Sequence, residues 1–113
     1  MIHQMKLHRQ PFDMIASGHK TIELRLYDEK RQLIQVGDVI CFTCSDDPKL
    51  SFSRTVVALH RFPSFAELYR SLPLDKCGYL PEELDSASPA DMDVYYSTEK
   101  QEKYGVVGIE LSE

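Results

Sequence analysis

Lys20, Thr21, Glu23 and Arg25 lie within six residues and bring together an ammonium, a hydroxyl, a carboxylate and a guanidinium. A lysine at such a position can contact a phosphate, or act as a general base if burial lowers its pKa. The planar fork of Arg25 suits a phosphate or the edge of a nucleobase. Glu23 can pair with Arg25, or accept from an exocyclic amine as carboxylates do with cytosine. In an enzyme, Lys20 would be the base, Glu23 an acid or base, and Arg25 the group that holds developing charge. Thr21 is a candidate nucleophile beside Lys20, although neighbours on a regular strand point to opposite sides. Lys30 and Arg31 add positive charge a few residues on. Tyr95, Tyr96 and Tyr104 can stack on a base, but Tyr95 and Tyr96 at helical spacing with Met92 are expected in the core first.

These residues need a scaffold, and the flanking pattern supplies one. Residues 10–18 read as a short helix, with Pro11 in the first turn and Gly18 as a left-handed stop. From Thr21 to Tyr27, apolar Ile22, Leu24 and Leu26 alternate with Thr21, Glu23, Arg25 and Tyr27. That period-two pattern describes a strand with Glu23 and Arg25 side by side on the face away from the core. Further strands are expected at Met5–Leu7, Val39–Thr43, Leu50–Phe62 and Tyr104–Leu111, with a bulge near Arg54 where the apolar phase shifts. Short helices are expected at Phe65–Tyr69 and after the Ser88-Pro89 cap signal. About five strands and three short helices in this order indicate an α+β fold, a small mixed or antiparallel β-barrel. The first connection holds a helix of only about two turns, too short for a Rossmann-like parallel crossover.

The 113 residues fit one domain spanning 1–113. The segment from Met1 to Lys6 has no secretory apolar stretch, and no run is long enough to cross a membrane, so a cytoplasmic protein without a membrane partner is expected. Cys41, Cys44 and Cys77 are an odd set, and a single C-x-x-C on a strand does not complete a zinc site. Free thiols are expected, with no obligatory metal and no cofactor. A net charge of −5 argues against a broad surface coating nucleic acid. The charge is uneven, however: residues 1–31 carry six Lys/Arg against four Asp/Glu, and residues 32–113 carry seven against fourteen. An anionic ligand is therefore expected near the N-terminal third.

At Gly18-His19-Lys20-Thr21-Ile22-Glu23-Leu24-Arg25 the chain resembles the ASCH family (activating signal cointegrator homology). Gly37-Asp38-Val39-Ile40-Cys41-Phe42 resembles its second signature, G-D-x-I-x-F, and Tyr95-Tyr96-Ser97 and Tyr104–Ile109 are similar to a bacterial subgroup. The resemblance implies a PUA-like barrel with peripheral helices. It also implies binding of RNA or DNA, ribonuclease activity in some members, and hydrolysis of N4-acetylcytidine in a small bacterial group. Those hydrolases carry a second threonine where this chain has Glu23, which counts against that activity. Their catalytic glutamate lies further on, and Glu67 corresponds only by rough location. Three functions are thus expected in order: a module binding single-stranded RNA or a nucleotide-like small molecule through Lys20, Glu23 and Arg25; a modified-nucleoside amidohydrolase or ribonuclease; and a protein-interaction domain using the acidic segment 75–93.

Overall fold

A computed structural model describes residues 1–112. Five strands and three α-helices run in the order β1 (Ile2–Leu7), α1 (Arg9–Ala16), β2 (Ile22–Leu26), β3 (Val39–Cys44), β4 (Ser51–Phe62), α2 (Phe65–Ser71), α3 (Thr98–Tyr104) and β5 (Val106–Leu111). Between α2 and α3 the chain forms a strap of three 3-10 helices, Leu74–Cys77, Pro81–Ser86 and Pro89–Val94.

The strands form one mixed sheet in the order β1-β3-β4-β5-β2, with β1 parallel to β3 and every other pair antiparallel. β4 serves two halves of the sheet. Its residues Ser51–Thr55 pair with β3, and Val56–Phe62 pair with β5. The register shifts between Val56 and Ala58, so Val57 is an extra residue. A bulge of this kind bends the strand and increases its twist, and the sheet curls into a half-barrel. The expected bulge therefore lies three residues beyond Arg54. β1 and β2 end up at opposite ends of the strand order and leave an open seam between them.

Two cores lie on opposite faces of the curled sheet. Phe12 and Ile15 of α1 pack with Ile40, Phe42 and Ile109 on one side. Phe65 and Leu68 of α2 pack with Ile22, Leu24, Leu26 and Met92 on the other. Each such side chain stabilises the fold by roughly 1.5–3 kcal/mol when removed from water. At Gly108 of β5 the residue after α2 approaches the sheet so closely that a Cβ would lie 2.7 Å from Leu72 Cδ1.

Two sequence expectations need correction. The segment after Ser88 is a 3-10 helix ending at Val94 rather than a longer α-helix. Met92 is buried, but Tyr95 lies beyond the helix end and is 69 % exposed, so it does not join the core. The α-helix comes later, at Thr98–Tyr104, where Ser97 Oγ accepts from Lys100 N–H and no residue is buried.

Candidate ligand-binding cleft

The end of α1 sets the approach to β2. Gly18 takes φ +84°, a left-handed conformation open to glycine, and reverses the chain. Lys20 N–H then donates to Met14 C=O at 2.9 Å, and Thr21 N–H donates to Lys76 C=O at 2.9 Å. Lys20 is thereby tied to α1, and Thr21 to the strap. From Ile22 onward the strand alternation directs Glu23 and Arg25 to one face. That face is not the non-core face the alternation suggested: Glu23 stands opposite Ile109 and Arg25 opposite Val107, both buried in the first core, and α1 and the strap close it off from solvent. Glu23 is 4 % exposed and is the one buried charged residue among those described.

Glu23 is held by both neighbours. Its Oε1 lies 2.7 Å from Lys20 Nζ, and its Oε2 accepts from Arg25 Nε at 2.8 Å. Burial pushes the carboxyl pKa up, but the Lys20 ammonium and Arg25 guanidinium outweigh burial and hold it below its ordinary value. For Arg25, burial disfavours the charge, and Glu23 again outweighs it, leaving the guanidinium pKa raised. Two cations and one carboxylate leave one net positive charge in a sheltered place. Arg25 also spans the seam, where its Nη2 donates to Lys6 C=O at 3.4 Å.

The triad sits at a cleft of about 570 Å³ between β1 and α1 on one side and the strap on the other. Such a volume lies within the range of small-molecule sites. Lys6, His8 and Met14 contribute to the first wall, and Tyr69, Cys77, Tyr79, Met92 and Tyr96 to the second. The strap wall is braced by a relay: Tyr69 and Tyr79 hydroxyls share a bond of 2.7 Å, and Tyr79 Oη donates to Asp91 Oδ2 at 2.8 Å. Burial raises the pKa of Tyr69, Tyr79 and Tyr96, so all three stay protonated at neutral pH. Burial likewise pushes the Cys77 thiol up to about 12. Gly78, at φ +110°, lets the strap lie against the Lys20 stem, with a would-be Cβ only 3.3 Å from Lys20 Cδ. Tyr96 stacks on Phe65 with ring centroids 6.2 Å apart.

The ASCH domain family model matches residues 5–113. The chain belongs to the ASCH domain family. The crystal structure of the hypothetical protein PH0355 is similar to this ASCH domain, with 32% identity, a TM-score of 0.78, and coverage of 99% of this chain and 98% of that one. A solution NMR structure of PF0455 from Pyrococcus furiosus is 36% identical, with a TM-score of 0.70 over 99% and 96% of the two chains. The crystal structure of ASCH from Zymomonas mobilis is 14% identical, with a TM-score of 0.69 over 99% of this chain and 67% of that one. At that identity the likeness is one of fold, and the curled five-stranded sheet is PUA-like. No curated protein matches the sequence.

Within this ASCH domain, Lys20, Glu23, Arg25 and Tyr96 come together at the cleft. The other candidates lie elsewhere. Thr21 is adjacent to Lys20 but does not line the cleft, and its backbone is bonded to Lys76 and Leu111. Lys30 is exposed on the turn, and Arg31 pairs with Asp28 at 3.4 Å. Tyr104 donates to Glu29 Oε1 at 3.0 Å and borders a separate, shallower hollow of about 330 Å³ with Tyr27 and Arg61. Glu67 is exposed on α2. Tyr69 of α2 and Cys77 and Tyr79 of the strap were not expected at the site. The sequence marks Tyr69 only as part of the α2 apolar stripe, and the strap pair only through the Cys77-Gly78-Tyr79 cluster within an otherwise polar connection. Among the described residues no group of three or more His, Cys, Asp or Glu side chains gathers as a metal site, and no helix is long and apolar enough to cross a membrane.

Proposed function

We propose that this ASCH domain binds single-stranded RNA, or a nucleotide-like small molecule, by enclosing one nucleotide in the cleft. The observation that carries this reading is the triad: Lys20 and Arg25 are fixed on the two oxygens of buried Glu23, with one positive charge to spare. Cations held in place before binding lose little side-chain freedom when a phosphate or an electron-rich base edge arrives. The tyrosines of the strap offer rings and neutral hydroxyls to the remainder of the ligand. Membership of the ASCH family, with its PUA-like fold, supports an RNA ligand. A negative whole-molecule charge fits a local site better than a coating surface.

In this reading Glu23 is an anchor and not an acid. It is held as a carboxylate with both oxygens engaged, so it has no proton to give. Chromatography of N4-acetylcytidine and of single-stranded RNA after incubation with micromolar protein checks this, and turnover of either would overturn the anchor role.

Fluorescence anisotropy with short single-stranded RNA tests binding itself. Lys20→Ala or Arg25→Ala is expected to weaken it by about 1.5–3 kcal/mol, the range for a hydrogen bond to a charged group. Affinity should fall with salt, with a log–log slope near −0.7 for each phosphate contacted. Unchanged affinity in both variants would place the ligand elsewhere.

A further inference from the structure

β2 is an edge strand, and its register on β5 fixes where its backbone groups point. Tyr27 N–H donates to Gly105 C=O at 3.0 Å, and Leu111 N–H donates to Thr21 C=O at 2.8 Å. Glu23 stands opposite Ile109 and Arg25 opposite Val107 in the same register. The odd-numbered residues are therefore the hydrogen-bonded pairs of the antiparallel ladder, and Ile22, Leu24 and Leu26 turn N–H and C=O away from β5, toward the seam. On the other wall, Met1 and Leu7 carbonyls accept from Val39 and Ser45 N–H, so odd residues of β1 face β3. Lys6 faces the seam instead, as its bond from Arg25 shows.

Leu24 is the middle residue of the free β2 edge, and it lines the cleft. Its side chain is taken up by the core near Gly108, where a would-be Cβ lies 3.7 Å from Leu24 Cδ2. The residue is 7 % exposed, and no turn, loop or cap bond reaches its main chain. Buried backbone N–H and C=O groups are nearly always paired, and the cleft is where a partner for these two would sit.

We infer that the main-chain N–H and C=O of Leu24 read the hydrogen-bonding edge of a nucleobase held in the cleft. This rests on the nucleotide reading above and names what would choose the base. The chemistry is an acceptor and a donor side by side on a planar ring: N3 and the exocyclic amine of cytosine, a carbonyl and N3–H of uracil, and the corresponding edges of adenine and guanine. Lys20 and Arg25 would hold phosphate or sugar oxygens, and Leu24 would hold the base. A ribose phosphate satisfies the first pair and not the second.

The test follows backbone amides by NMR in the 15N-labelled full chain. In the free protein, the Leu24 amide should exchange with solvent faster than the ladder-bonded amides of Glu23 and Arg25; equal protection would overturn the inference. The probes are the four ribonucleoside 5′-monophosphates, ribose 5-phosphate, and the tightest-binding nucleotide methylated on its base-pairing edge. With nucleotide at about 100 times its Kd, the Leu24 amide should shift and its exchange through the free state should slow by about 100-fold. Ribose 5-phosphate should perturb Lys20 and Arg25 and leave Leu24 unchanged, and the methylated nucleotide should bind at least about tenfold more weakly, the loss of one backbone pairing. A nucleotide that binds through Lys20 and Arg25 while Leu24 neither shifts nor gains protection overturns this inference and leaves the proposed function standing. Absence of binding by every nucleotide and by RNA overturns both.

Discussion

Exchanging Glu23 for glutamine keeps the shape of the side chain and removes the charge shared by Lys20 and Arg25. Two cations then remain in a sheltered site without their anion, and breaking a buried ion pair in this way costs about 3–5 kcal/mol. Denaturant unfolding of Glu23→Gln at pH 7 should show a loss of that order, with Lys20→Met costing less because an uncharged stem replaces the cation. The pH dependence has a definite sign. The folded Glu23 pKa is depressed, so its contribution is present above the ordinary value of 4.5 and is lost as pH falls through the folded value. Asp38 behaves alike at the other end of the molecule. His3, the Gln35 N–H and the N-terminal amine surround it and lower its pKa from 3.8 to about 2. Urea midpoints measured between pH 5 and pH 2 should fall in the native protein over that window and fall less steeply in Asp38→Asn. Cysteine chemistry offers a third check. Cys77 is 5 % exposed with its pKa up to about 12, and Cys44 is fully buried, so a thiol reagent at pH 8 should label half-buried Cys41 well before either.

The elements were legible in the sequence where their apolar period was strong. Ile22, Leu24 and Leu26 give β2, and Phe65, Leu68 and Tyr69 give α2, and each stripe is buried in the structure. The Thr98–Tyr104 helix was not legible, because Thr-Glu-Lys-Gln-Glu-Lys-Tyr carries no apolar stripe and holds its place through the Ser97 cap. Alternation also showed that Glu23 and Arg25 share a face, but a polar period cannot say what will cover that face. The strap supplies the cover, and its contacts with β2 are set by residues more than fifty positions away. Gly78 is the point where that cover is most exacting. Gly78→Ala meets a φ of +110° and Lys20 Cδ at 3.3 Å, and a left-handed position costs a non-glycine residue roughly 1–2 kcal/mol. We expect lower thermal stability together with weaker RNA binding, since the Lys20 stem must move. A Gly78→Ala protein with wild-type affinity would show that the placement of Lys20 is immaterial.

For the molecule as a whole, the resemblance of residues 18–25 to the ASCH motif implied the PUA-like fold, and the strand and helix periods by themselves indicated a small α+β barrel. The cleft itself is a property of the curled sheet. Its walls come from the two strands that are furthest apart in the strand order, β1 and β2, and they meet only because the three strands between them curl. The extra residue at Val57, in the strand that joins the two halves of the sheet, helps to set that curl. The width of the opening is therefore governed from a distance, as the gap of a caliper is set by its bow. Residues such as Val57, which do not line the cleft, provide a way to alter its width while leaving the triad itself unchanged.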